Sequence, residues 1–212
     1  MVTISIESNF KEVKKKMSAL HDDIRGKALA AAINRTADKG RTEATRQISS
    51  VYAIKQTDVR PNVLVRKASA KGGYQLVAII EAFPRRRGHR SRNVALFSPK
   101  QKSGRKTKSI RFKIGQKWIT KDVRIGGGVT VKIKRGGPRK MIEGAFIGNK
   151  GRTVFIRENG ASRLPIKAVE TIDIPQMFNS RRINNAIIRK IEQEFPVEAE
   201  RAMRYFIERF NA

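Results

Sequence analysis

Val129–Ile166 reads VTVKIKRGGPRKMIEGAFIGNKGRTVFIRENGASRLPI. Val129, Val131 and Ile133 alternate with Thr130, Lys132 and Lys134, the period of a strand with one buried face. Gly136-Gly137-Pro138 breaks that run, because glycine tolerates positive φ and proline lacks the N–H a ladder needs. Two further apolar runs, Ala145-Phe146-Ile147 and Val154-Phe155-Ile156, flank Gly148-Asn149-Lys150-Gly151, a hairpin-type connection. Three short strands with tight turns predict one small antiparallel sheet that ends in the extended segment Arg163-Leu164-Pro165-Ile166.

Outward from this stretch, both ends of the chain read as helical. Val2, Ile4 and Ile6 alternate as a short strand, and Asn9 with Glu12 has the spacing of a capping box. Phe10, Val13, Met17, Leu20, Ile24 and Ala28 then form an apolar stripe that Ala37, Ala44 and Ile48 carry towards Tyr52. Unbroken, this is a helix of ~40 residues, roughly 60 Å long, with Gly26 and Gly40 as candidate kinks. Two readings fit it: an ordinary core helix with a fraying end, or a helix whose outer part packs on a neighbouring subunit. Thr57 is placed to cap a short helix through Val63 and Val65, with Pro61 in its first turn. Tyr74–Ala82 reads as the central strand. Ile183, Ile187, Ile191, Phe195, Ala199, Ala202, Phe206 and Phe210 share one face of a last helix, which Pro196 should kink or divide.

The fold class expected is therefore α+β. A long N-terminal helix and a C-terminal helix pack on a small, mainly antiparallel sheet with long basic loops. The organisation expected is one domain over residues 1–212, with the long helix at 9–52, the sheet at 74–166, basic loops at 84–108 and a helical region at 176–211.

Charge is the dominant compositional fact. The 212 residues carry a formal net charge of +29, and self-repulsion of that size is tolerated mainly beside a polyanion or an acidic partner. Between Ala82 and Ile142 there are 20 Lys or Arg against one acid, Asp122, so +19 of the total lies there. The candidate contact residues are Arg85, Arg86, Arg87, Arg90, Arg92, Lys100, Lys102, Arg105, Lys106, Lys108, Lys132, Lys134, Arg135, Arg139 and Lys140. Cations on loops neutralise phosphates without reading base sequence. One aromatic, Phe97, lies in this loop region, within the apolar run Val94–Phe97, so single-strand stacking is poorly served. Contact with duplex DNA and contact with acidic protein surfaces both remain open.

Catalysis is disfavoured. No cysteine is present, which removes thiolate chemistry and Cys-ligated metal. His21 and His89 have no nucleophile or ligand partner at motif spacing, and Asp22-Asp23 diverge by about 100° on a helix. Gly126-Gly127-Gly128 lacks the Lys-Ser/Thr of a phosphate-binding loop. No catalytic residue, cofactor or metal site is expected. MVTISIESNF is not patterned as a signal peptide, and no run approaches the ~18 apolar residues of a membrane span. The expectation is a soluble protein with no membrane partner.

Three groups of residues, in order, resemble the minor tail protein Z family of long-tailed phages, the tail completion proteins of lambda-like particles. The first is Asn34-Arg35-Thr36-Ala37 and Arg41, through Tyr52-Ala53-Ile54-Lys55 to Asp58-Val59. The second is Val131–Gly137 with Gly144-Ala145-Phe146-Ile147. The third is Val154-Phe155-Ile156-Arg157, Arg163-Leu164-Pro165-Ile166 and Ile174-Pro175-Gln176-Met177. The resemblance implies a structural virion protein, assembled in the host cytoplasm, at the head-proximal end of the tail. It implies a homo-oligomeric ring, sixfold by the symmetry of such tails, that joins tail to head and borders the DNA channel. The partners implied are other tail and neck proteins (the tail terminator and the head–tail connector), with non-specific contact to genomic duplex DNA. The alternative is a cellular basic nucleic-acid-binding protein of ribosomal or nucleoid type.

Overall fold

A computed structural model describes residues 2–6, 22–69, 76–84, 92–104, 106–157 and 164–210. The class is α+β, with long helices and small antiparallel sheets. The chain divides into two compact units: 1–49 with 56–90 and 173–212, and 50–55 with 91–172.

In the first unit, helix α1 (Asp22–Val51) begins, and its buried face combines alanines (Ala28, Ala32, Ala37 and Ala44) with Ile33 and Ile48. The expected start of this helix at Asn9 lies outside the described residues. Helix α1 runs unbroken through Gly26 and Gly40. At Gly40 a Cβ would stand 2.8 Å from Cδ1 of Ile80 and 3.3 Å from Cγ1 of Ile191. Here glycine lets a strand and a second helix approach the helix axis.

That strand is β3 (Ala78–Ala82), which pairs antiparallel with β1 (Val2–Ile6) and β2 (Val63–Arg66). The order β1-β3-β2 makes β3 central, as its apolar run predicts. Val63 and Val65 therefore lie in a strand, not in a helix begun at Thr57. The helix there, α2 (Gln56–Val59), stops before Pro61, which sits in the 3-10 turn Arg60–Asn62. Glu81, which looks isolated in sequence, is buried on β3 and accepts from Nε of Arg66 at 2.9 Å. Asp173 caps the short helix α3 (Ile174–Phe178) in a capping box with Gln176, and buries Ile174, Met177 and Phe178. Helix α4 (Arg181–Phe210) is one helix with Pro196 inside it, not two. Proline deprives one carbonyl of its N–H partner, but Phe195 and Ala199 on either side are fully buried and hold the segment in place.

Helices α1 and α4 are also tied by charge. Nζ of Lys39 lies 2.5 Å from Oε2 of Glu194 and 2.6 Å from Oε1 of Glu198. Glu198 is buried and also meets Arg201 at 3.0 Å and Arg35 at 3.8 Å, while Lys190 reaches Glu194 at 2.7 Å. Hydrogen bonds from Lys190 and Lys39 lower the Glu194 carboxyl to about 2. The hydrogen bond from Lys39 likewise lowers Glu198, and those two carboxylates raise Lys39.

The second unit holds the remaining strands. Ladder β5-β8-β9 comprises β5 (Lys100–Lys102), β8 (Gly128–Val131) and β9 (Lys140–Glu143). Ladder β10-β11-β12 comprises β10 (Ala145–Gly148), β11 (Thr153–Arg157) and β12 (Ile166–Ala168). The three runs of Val129–Ile156 thus belong to two ladders instead of one sheet. They still share one core: Val94, Val129, Val131, Ala145 and Val154 pack together. Ile133 leaves the ladder, and its carbonyl accepts from the Ala53 N–H. Two smaller pairings complete the unit: β4 (Arg92–Asn93) with β13 (Glu170–Thr171), and the ribbon of β6 (Lys106–Ile114) with β7 (Lys117–Ile125).

A Cβ on Gly128 would fall 2.2 Å from the Ile142 carbonyl oxygen, a backbone clash that no side-chain rotation relieves. Gly128→Ala should therefore cost about 3 kcal/mol, read as a lower urea midpoint. The depressed Glu194 and Glu198 contribute stability above the ordinary carboxylate pKa of 4.5, and this is lost as pH falls towards about 2. The raised Lys39 contributes stability that is lost only above 10.5. Lys39→Met should flatten the acid limb of a thermal-melt series below pH 4.5 and lower the melting temperature near neutrality.

Candidate basic interface

The basic residues of the second unit are carried by strands and turns that side-chain hydrogen bonds pin in place. Asn93 is the main pin. Its Oδ1 accepts from the N–H groups of Ala95 (3.0 Å) and Val154 (2.8 Å), and its Nδ2 donates to the Val154 carbonyl at 3.1 Å. This starts the 3-10 turn Val94–Leu96 and seats Phe97, which is fully buried. Gln101 does the same for β5. Its Nε2 donates to the carbonyls of Gly128 (3.2 Å) and Ala145 (3.4 Å), and its Oε1 accepts from the Ile147 N–H at 2.9 Å.

With the Gln101 side chain bonded to the backbone of β8 and β10, strand alternation places Lys100 and Lys102 on the opposite face, and both are exposed. They were expected in a loop; they lie in a strand because Gly128–Thr130 supplies the ladder partners. Ladder formation uses backbone groups and needs no apolar side chain on the open face. Lys106 and Lys108 are likewise in strand β6.

A second group lies between β8 and β9. Lys134 bridges Tyr52, and the Arg135 N–H donates to the Val51 carbonyl at 2.9 Å. Their side chains, with that of Lys140, are exposed, and Lys132 is half-buried. Arg139 is exposed too, but its guanidinium donates twice to the Ser98 carbonyl, at 2.9 and 2.7 Å. Its role is to fasten the turn. Arg92 differs most from a loop cation, being only 7% exposed, in β4 beside Thr171. Arg85, Arg86, Arg87, Arg90 and Arg105 lie outside the described residues, as do His21 and His89. Lys100, Lys102, Lys134, Arg135 and Lys140 are thus exposed cations of one unit, whereas Arg92 is buried and Arg139 is bonded to Ser98.

Such a surface can hold a polyanion by phosphate or carboxylate contacts. Comparison with known families names its setting. Residues 10–210 match the family of prophage minor tail protein Z (GPZ). The chain belongs to that family. It is accordingly a structural protein of a phage tail, its place is the virion, and its working contacts include other virion proteins. No curated protein and no solved structure matches the chain. No helix among the described residues is long and apolar enough to cross a membrane.

Asn93 and Gln101 are absent from the sequence candidates above, though both carry a local signal. Asn93 immediately precedes an apolar turn, and Gln101 is flanked by two lysines in a stretch without apolar residues. Asn93→Ala removes three hydrogen bonds to buried backbone and should cost about 2–3 kcal/mol. Amide exchange should show loss of protection at Ala95 and Val154 before the helices α1 and α4 are affected.

Proposed function

We propose that this chain is a tail-completion subunit. It forms a ring at the head-proximal end of the tail, joins the tail to the neck and borders the channel through which duplex DNA passes. Family membership across nearly the whole chain carries this reading, and the charge distribution supports it. Genomic DNA offers the polyanion that a +29 chain needs beside it, and backbone-only contacts suit a duplex of arbitrary sequence. Sixfold assembly matches the symmetry of such tails. The tail terminator and the head–tail connector are the neighbours such a position supplies. The exposed Lys100, Lys102, Lys134, Arg135 and Lys140 face the DNA or an adjoining ring.

The test adds purified chain to isolated tails that lack it, and follows attachment, particle mass and plaque formation. The wild-type chain should join tails as a ring and restore head joining. Replacing Lys100, Lys102, Lys134, Arg135 and Lys140 by Ser should leave the melting temperature within about 2 °C, since exposed side chains contribute little, but should impair DNA retention or joining. Full infectivity of that variant would remove these cations from the function. A chain that ignores tails, and instead binds nucleic acid tightly alone, would refute the tail-completion reading.

A further inference from the structure

The β6–β7 ribbon carries chemistry that neither the basic loops nor the core explains. Nine residue pairs join its strands, from Lys106 opposite Ile125 to Ile114 opposite Lys117. The ribbon pairs with no other strand among the described residues. At ~3.4 Å per residue it is about 30 Å long, close to one turn of B-form DNA at ~34 Å. A two-stranded ribbon is one of the shapes the major groove admits.

Register defines what one face offers. Directly opposed residues share a face, so Ser109 with Asp122, Arg111 with Thr120 and Lys113 with Trp118 form a continuous set. All six are exposed. Guanidinium, ammonium and hydroxyl groups are the side-chain donors that contact phosphate and sugar oxygens, and along β6 they recur every second residue, about 7 Å apart. The single acid, Asp122, accepts a hydrogen bond from the Ser109 hydroxyl. Over Lys106–Ile125 there are seven Lys or Arg against that one acid.

The outer end is open on both sides. Trp118 is 59% exposed and its neighbour Ile119, on the other face, is 41% exposed. The Arg111 guanidinium lies 5.2 Å from the centre of the indole ring, so a cation and a flat apolar surface are presented together. One aromatic on this face is too few for a single-strand stacking track, whereas donors at regular intervals suit a duplex backbone.

We infer that the Arg111–Lys113–Trp118 face of the ribbon is a duplex-DNA contact, lying along a groove with the Arg111 and Lys113 donors on the phosphates. The inference deepens the tail-completion reading and rests on it for the source of the duplex.

Trp118 is the only tryptophan of the chain, so it reports directly on this face. A duplex of about 20 base pairs, two helical turns, is titrated into the full chain at low salt while indole emission is followed. Wild-type tail attachment is measured in parallel. Emission should be quenched and shifted by the duplex and recover as salt rises. Arg111→Ser with Lys113→Ser should reduce the log–log salt slope by about 1.8, while the charge-keeping pair Arg111→Lys and Lys113→Arg retains it. Unchanged emission at any duplex concentration, or a slope indifferent to the Ser pair, would overturn the inference. So would an equal response to polyglutamate of matched charge, which would assign the face to acidic protein. If wild-type chain joins tails while Trp118 ignores DNA, only the ribbon assignment falls. If it does not join tails, the tail-completion reading falls whatever the emission shows.

Discussion

The buried carboxylate of Glu198 shows the constraint under which the whole structure stands. With 18 acids for 47 Lys and Arg, every acid placed in the interior must compensate cations there, and every acid so used is missing from the surface. Glu198 gathers Lys39, Arg35 and Arg201 at the contact of α1 with α4. Glu81 holds Arg66 against the sheet of the first unit, and Asp122 is bonded to Ser109. The second unit, from which most of the excess charge comes, has almost no acid to offer its own cations. In the proposed tail-completion role, a polyanionic partner supplies that compensation.

A unit so short of compensating charge must be held together by other means. Its core is a handful of small and β-branched residues around Val129 and Val154. Such a core is stiff in its rotamers. Side-chain-to-backbone bonds supply the rest of the definition: Asn93 to Val154, Gln101 to three backbone groups and Arg139 to Ser98. These bonds fix the two ladders to one another through atoms that carry no positive charge on the solvent side, except at Arg139. The lysines beside Gln101 are thereby oriented without being neutralised.

Legibility follows the range of the interactions. The helices α1 and α4, the central place of β3 and the hairpin from β10 to β11 were readable, because each rests on a period or a turn written in adjacent residues. The family likewise was readable from ordered short motifs. The strand character of Lys100–Lys102 was not, because its only cause is a partner strand some 28 positions later in sequence. Nor was the continuity of α4 through Pro196, where burial of Phe195 and Ala199 outweighs the local cost of proline.

The sequence by itself determined the α+β class, the excess and location of positive charge, and the tail family, since composition and periodicity survive any folding. Only the tertiary structure decided which cations are exposed. Arg92 and Arg135 are chemically the same in a sequence, and differ because the fold buries one beside β13 and leaves the other exposed. The same holds for Trp118. An aromatic residue in an alternating strand reads as core, and only the absence of a third strand beside β6 and β7 in the described fold leaves its ring facing water.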